Sequence, residues 1–299
     1  MRRFVLAGAL AVLTASSTLA QQRPTFRTRT DTVSVSVSVK NRNVAVAGLT
    51  VDDFRLFDNG VPQTVERVTI EGVPIDLTLF IDTSPSFMGR ANSLKDDIRR
   101  IAALLRPGDR IRLIAFANEV EEVVPWTDAG REVNLDTLRI ARISSVYDGL
   151  AASLLHQPGP DRRHLIVAMT DGYDYNSAVS SERVLDISGR VEGVLHLVLM
   201  QSGPTSLPHA PQSASMRGPD GKGEGRLNDA AERTGGRMQS PIFGFSMVKA
   251  FQQVFEDFRA SYVLRYTPTG VKPDGWHDLK VEVPKAPRAT IRARRGYTG

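Results

Sequence analysis

The chain has 299 residues, 41% of them apolar, with 38 Lys and Arg against 33 Asp and Glu and a formal net charge of +5. This is ample material for a buried core, and too mild a positive charge to argue for a nucleic-acid surface. There is no cysteine, which excludes structural disulfides, thiolate catalysis, zinc–thiolate sites and lipid attachment at an N-terminal Cys.

Residues 1–20 read as a signal peptide. Arg2 and Arg3 precede the apolar run Phe4 to Leu13, and Thr18-Leu19-Ala20 offers small residues to a signal peptidase. The run is too short for a stable bilayer-spanning helix. Cleavage after Ala20 implies an exported protein, periplasmic or extracellular, with no membrane span and a net charge lowered from +5 to +3 by the loss of two arginines.

An N-terminal β segment is expected over 28–73. Thr32 to Lys40 alternates Val and Ser, the pattern of a strand buried on one face. Asp58-Asn59-Gly60 lies between FRLF and VPQTVERVTI, a hairpin signal. No helical period precedes Pro74.

An α/β domain is expected over 74–260. Ile75 to Ile81 is an apolar strand interrupted by Asp76 and Thr78, and Asp76 should face outward or pair with a basic group. Leu94, Ile98, Ile101, Ala102 and Leu105 share a helical face that Arg106-Pro107-Gly108 ends. Arg110 to Phe116 and Val120 to Pro125 read as a strand pair, Ser144 to His156 as a helix, and His164 to Thr170 as a buried strand. A helix over Glu182 to Arg190 and a strand over Val194 to Met200 follow. Apolar strands alternating with amphipathic helices imply a doubly wound, mostly parallel sheet covered on both faces. Residues 202–225, rich in Pro, Gly and Ser, read as a flexible surface loop. Arg226 to Arg233 is a short helix. Phe245 to Phe258 is the last one, its Phe251, Phe255 and Phe258 face belonging to the core.

A C-terminal β segment, 261–299, should contain strands Tyr262 to Thr267, His277 to Val283 and Thr290 to Arg295, with Arg292, Arg294 and Arg295 on a solvated face. Neither β segment can bury a core alone. The economical arrangement pairs the two into a small β-sandwich with the α/β domain inserted between them.

The chemistry concentrates at strand ends. Asp82-Thr83-Ser84-Pro85-Ser86 follows the first core strand and fits D-x-S-x-S; alone the pattern is weak, but it lies where open α/β sheets bind ligands. Thr170-Asp171-Gly172 ends the fourth strand. In a sheet ordered 3-2-1-4-5-6, strands one and four are neighbours across the switch point, so Asp82 and Asp171 would share a crevice. Two carboxylates so placed repel unless a proton or cation lies between them. Oxygen donors with hydroxyl neighbours suit Mg²⁺, with Mn²⁺ or Ca²⁺ as alternatives. Asp148 and Asp174 read instead as helix-start and turn residues.

With Ser144-Ser145-Val146-Tyr147-Asp148 opening a helix, the set resembles the metal-ion-dependent adhesion site of von Willebrand factor type A (VWA) domains, a Rossmann-like fold. The resemblance places Asp82, Ser84 and Ser86 in its first motif, Ser144 at the position of a Thr, and Asp171 after strand four. Ser144 departs from that Thr, and Arg142 and Ile143 depart from a usual Gly pair. GLTVDDFRLFDNGVPQTVERV and the closing GWHDLKVEV…RARRGY resemble a bacterial secreted VWA-related subfamily. The resemblance implies a protein-binding, adhesion or scaffold module whose Mg²⁺ takes an Asp or Glu carboxylate from a protein partner. A Mg²⁺-dependent hydrolase and a metal-free structural VWA domain are the other readings. Against the hydrolase, no general base, no G-x-x-x-x-G-K-[ST] cradle and no nucleophile beside a base are evident, and no catalytic residue is assigned.

Overall fold

The computed structural model describes residues 32–70, 72–83, 91–116, 119–139, 145–156, 159, 161–170, 172, 174, 177–199, 222–239 and 246–299. The expected signal peptide lies outside these residues, as do Ser84, Ser86, Ser144, Asp171 and most of the 202–225 loop.

In chain order the first strands are β1 (Val33–Asn41), β2 (Val44–Ala45), β3 (Arg55–Asp58), β4 (Val61–Gln63) and β5 (Arg67–Thr69). The central elements are β6 (Ile75–Asp82), α1 (Ala91–Ala102), β7 (Arg110–Phe116), β8 (Val120–Asp128), α2 (Val146–Leu154), β9 (Arg163–Thr170), α3 (Ser181–Ser188), β10 (Val194–Leu199), α4 (Gly223–Arg233), β11 (Met238–Gln239) and α5 (Met247–Arg259). The last strands are β12 (Tyr262–Tyr266), β13 (Trp276–Glu282), β14 (Thr290–Ala293) and β15 (Gly296–Thr298).

The central sheet runs β11-β10-β9-β6-β7-β8. Counting only its own strands, that is 6-5-4-1-2-3, the expected doubly wound order. All pairs are parallel except β7 with β8. Every residue of β6 and of β9 is buried, because helices cover both faces. Leu77, Leu79 and Ile81 meet Ile98 of α1 and Phe251 and Phe255 of α5. Phe80 and Ile166 lie with Leu150 of α2, Val184 of α3 and Leu227 of α4 on the other face. Alternate residues of β6 thus enter different cores, so no polar periodicity marks the strand. Each such side chain contributes about 1.5–3 kcal/mol of burial.

Two antiparallel sheets flank it: β14-β1-β12-β5, with β2 on β1, and β15-β13-β3-β4. Each joins early to late strands, Val35 pairing with Leu264 and Leu56 with Val281. Val35, Val37 and Val39 face inward with Leu264, Leu56 and Leu279, forming the sandwich core. The β3–β4 turn places Asn59 at φ 47° and Gly60 at φ 79°, the left-handed pair that a two-residue hairpin requires.

Several expectations are corrected. Among the described residues before Pro74 there is one 3-10 turn, Val51–Asp53; Asp53 Oδ2 accepts from Thr50 N at 2.8 Å, closing a turn too short to show a period. β8 extends to Asp128. α4 begins at Gly223, within the expected loop, because packing of Leu227, Ala230 and Ala231 overrides two poor helix formers. The strand expected over Thr290 to Arg295 ends at Ala293 as β14, paired with β1, and a further strand, β15, follows it and pairs with β13 in the other sheet. Arg294, at the break, is buried at 6% exposure; it donates to Gly296 O (2.9 Å) and Gly189 O (3.2 Å), not to solvent. Of the two places expected for Asp76, the structure has the pairing with basic groups and not the outward one. Asp76 is fully buried and paired with Arg110 (2.6 Å) and Arg162.

Candidate metal centre

β6 and β9 are adjacent and parallel, with Ile81 opposite Met169. Their carboxyl ends therefore deliver Asp82 and Thr170 side by side. The Asp82 side chain is fully buried, and its Oδ2 accepts from Thr170 Oγ1 at 2.8 Å. Gly172 N donates to the same Thr170 hydroxyl oxygen at 2.9 Å. Gly172 sits at φ 84°, a left-handed turn that a Cβ would strain.

On the other strand, Thr83 fixes the start of the loop after β6. Its N and Oγ1 both donate to Phe116 O, at 3.1 and 3.2 Å. Of the five residues expected to form the site, Asp82 is described; Ser84, Ser86, Ser144 and Asp171 lie outside the described residues. Thr170 was missed as a member of the crevice. The signal available for it was its place between a buried strand and Asp171.

The amino end of α2 lies at the same end of the sheet. A Cβ on Gly149 would fall 2.1 Å from the Phe80 ring, two residues before Asp82, so helix and strand approach closely there. Phe80 and Phe116 stack at 4.1 Å beneath it. The first turn of α2 is clamped by the segment after β9. Ser177 Oγ accepts from Tyr147 N and Asp148 N, both at 3.1 Å, and donates to Asp174 Oδ1 at 2.5 Å. Asp174 Oδ1 also accepts from Tyr147 N at 3.2 Å. In return Asp148 accepts from Ala178 N (3.0 Å) and Val179 N (2.7 Å). These contacts satisfy amides that a helix start leaves open, and they put two carboxylates at the positive end of the helix dipole. Burial pushes the Asp174 carboxyl above its ordinary range, against the opposing hydrogen bonds of Ser177 and Tyr147. Asp148 and Asp174 thus serve the helix start and the turn.

The crevice therefore joins a buried carboxylate, a threonine hydroxyl and two loop starts pinned by hydrogen bonds. Its donors are oxygen, the type that hard divalent cations take. Among the described residues, no group of three or more His, Asp or Glu side chains is placed to hold a metal, at this crevice or elsewhere.

No family profile matches the sequence, and no curated protein matches it. Solved structures do. A von Willebrand factor type A protein from Catenulispora acidiphila is 10% identical, with a TM-score of 0.48 over 89% of this chain and 73% of that one. The ArnB paralog VWA2 from Sulfolobus acidocaldarius is 12% identical, with a TM-score of 0.47 over 87% and 74%. Proximal thread matrix protein 1 from the mussel byssus, with a zinc-occupied MIDAS motif, is 14% identical, with a TM-score of 0.46 over 69% and 50%. This chain's own strand order, a doubly wound mostly parallel sheet flanked by antiparallel ones, is the order that the sequence resemblance implies.

Proposed function

We propose that this is an exported, metal-dependent protein-binding module of the adhesion or scaffold kind, acting in the periplasm or outside the cell. Residues 74–260 form its VWA domain, and 28–73 and 261–299 frame it. Asp82, Ser84, Ser86, Ser144 and Asp171 would hold Mg²⁺, with Mn²⁺ or Ca²⁺ as alternatives. The observation that carries the reading is Asp82: a fully buried carboxylate at the carboxyl end of β6, hydrogen-bonded to the residue that precedes Asp171. A bound cation would supply a Lewis-acidic position open to the Asp or Glu carboxylate of a protein partner. Asp82 and Asp171 would supply the negative charge, and the serine hydroxyls neutral oxygens. With so few anionic donors, attraction for an incoming carboxylate is retained. No helix among the described residues is long and apolar enough to cross a membrane. The module is read as non-catalytic.

The test is capture of partners from envelope extract by the mature chain with and without Mg²⁺, compared with Asp171→Ala. Mg²⁺-dependent capture lost in the variant supports the reading. Metal-independent capture leaves a structural domain, and turnover of phosphoester or peptide substrates lost in Asp82→Ala would point to the hydrolase.

A further inference from the structure

A second polar site lies at the opposite end of the central sheet. A cavity of about 70 Å³ opens between the outer face of the β1–β12–β5 sheet and the amino-terminal ends of β9 and β10. Ser34, Ser36, Thr69 and Arg265 line it from the sheet; Arg163 and His164 line it from β9.

The charge balance of this cavity is unusual. Arg163 is only 9% exposed. Its guanidinium donates to Ser261 Oγ (2.6 Å), Ser36 Oγ (3.5 Å) and Ser261 O (3.4 Å) and lies 4.0 Å from the Phe258 ring centre. All these partners are uncharged. Among the described residues no carboxylate lies within ion-pair distance of it. Burial, then the nearby Arg259 charge, lowers its affinity for its proton. A buried cation without a counter-charge is costly, and hydroxyls compensate it poorly.

Register adds a second observation. Arg265 stands directly opposite Ser34 on one side and Arg67 on the other. Like charges directly opposed on one face destabilise a sheet, and neither arginine forms an ion pair among the described residues. Arg162, also on the cavity wall, is committed to Asp76. Glu192, exposed at the rim, is the one carboxylate among the described lining residues, against Arg163 and Arg265, the two lining arginines that form no ion pair among the described residues. His164 adds a buried Nδ1 with no hydrogen-bond partner among the described residues; its Nε2 is shared with Thr78 Oγ1 at 2.9 Å.

We infer that this cavity is a binding site for a small tetrahedral oxyanion of the phosphate or sulfate class, held by the Arg163 and Arg265 guanidinium groups and the Ser34, Ser36 and Thr69 hydroxyls. A water needs about 10–15 Å³ on this measure, so the cavity has room for about five oxygen-sized centres, enough for the four oxygens of such an ion. Arginine forks match oxyanion geometry by paired donors, and hydroxyls satisfy the remaining lone pairs. The anion supplies the missing counter-charge and relieves the repulsion between Arg67 and Arg265.

Calorimetry and ³¹P line broadening test this on the whole mature chain, treated with EDTA so that metal plays no part. Sodium phosphate is titrated against sodium chloride at matched ionic strength, with sodium sulfate as a second arm. Saturable phosphate binding is expected, weakened at least about tenfold in Arg265→Gln and in Arg163→Lys, which keeps the charge but loses the fork. A rise in melting temperature alone does not count, because phosphate and sulfate stabilise folded proteins by exclusion. If Arg163→Lys fails to fold, Arg265→Gln and Thr69→Val decide. No saturable binding beyond chloride, or wild-type affinity in the folded variants, overturns the inference. Sulfate binding without phosphate binding would assign the site to sulfate.

Discussion

Lowering the pH from about 7.5 to about 5 should destabilise the chain through two buried histidines. His164 on β9 is 3% exposed and His196 on β10 is 5% exposed. Burial pushes both down to about 3, helped by His156 and Arg112 at the first and by Arg237, Arg292 and Lys40 at the second. Asp76 opposes this weakly at His164. In the unfolded chain both titrate near 6.5. Below that pH the unfolded state binds protons that the folded state refuses, so stability falls as pH falls, from about 6.5 down to about 3. Each histidine contributes about 1.4 kcal/mol per pH unit, the pair about 2.7, and about 4 kcal/mol is lost by pH 5. That is a large part of an ordinary stability of about 5–15 kcal/mol. Asp76 does not blur the window. Burial raises its carboxyl, but hydrogen bonds and charges from Arg110 and Arg162 outweigh this and hold it below its ordinary value. Its contribution is present above about pH 4 and is lost only as pH falls further. Urea unfolding followed by circular dichroism across the pH series measures the slope. His196→Leu should remove about half of it. A flat profile between pH 7.5 and 5 would refute the burial argument.

Asp58 is fully buried and accepts from Tyr266 Oη (2.8 Å) and Tyr297 Oη (3.1 Å) and pairs with His277 Nδ1 (2.9 Å), joining β3 to β12, β15 and β13. Asp58→Ala should cost about 3–5 kcal/mol in denaturant unfolding, and Asp58→Asn clearly less, since its amide oxygen can still accept; equal costs would mean that a neutral acceptor of the same shape recovers none of the network. Gly149→Ala should lower stability by at least about 1–3 kcal/mol although alanine favours helices, since its methyl would enter the Phe80 ring; a neutral or stabilising result would show that α2 can shift. Mg²⁺ should raise the melting temperature in a concentration-dependent way that Asp171→Ala abolishes, with Ser144→Thr keeping or strengthening it. No response to millimolar Mg²⁺ or Mn²⁺ would remove the metal from the proposed function.

The central sheet was legible because each of its long strands carries one dominant signal. Ile75 to Ile81 is apolar on both faces, which only a doubly covered strand tolerates, and the helices between strands forced the parallel order. The Val–Ser alternation of β1 was equally direct. What was hidden depends on contacts distant in sequence. Nothing local ends β14 at Ala293 or starts β15 in the other sheet at Gly296; Arg294, between them, is drawn inward to the backbone of Gly189 and Gly296. β11 has two residues, too few for any period. For Asp76 the sequence leaves open an outward place or a basic partner, because its two arginines come from separate segments. At the site, the strand-end logic located Asp82, and Thr170 escaped notice because a threonine ending a strand is common. Ser84, Ser86, Ser144 and Asp171 lie outside the described residues.

The register of β1 has a consequence for the order of folding. Val33 pairs with Tyr266 and Val37 with Ala293, so the earliest described strand has its neighbours, apart from the two-residue β2 at its far end, among the latest. During synthesis it emerges long before either partner, an alternating Val–Ser ribbon with two open edges. Such a ribbon is prone to pair with other chains. The central sheet draws all its strands from the intervening residues and can form first, and its closure brings the two ends of the sandwich together at reduced loop entropy. Chains interrupted before β12 should therefore retain the central sheet yet carry a sticky amino-terminal strand, and protease should remove that strand first.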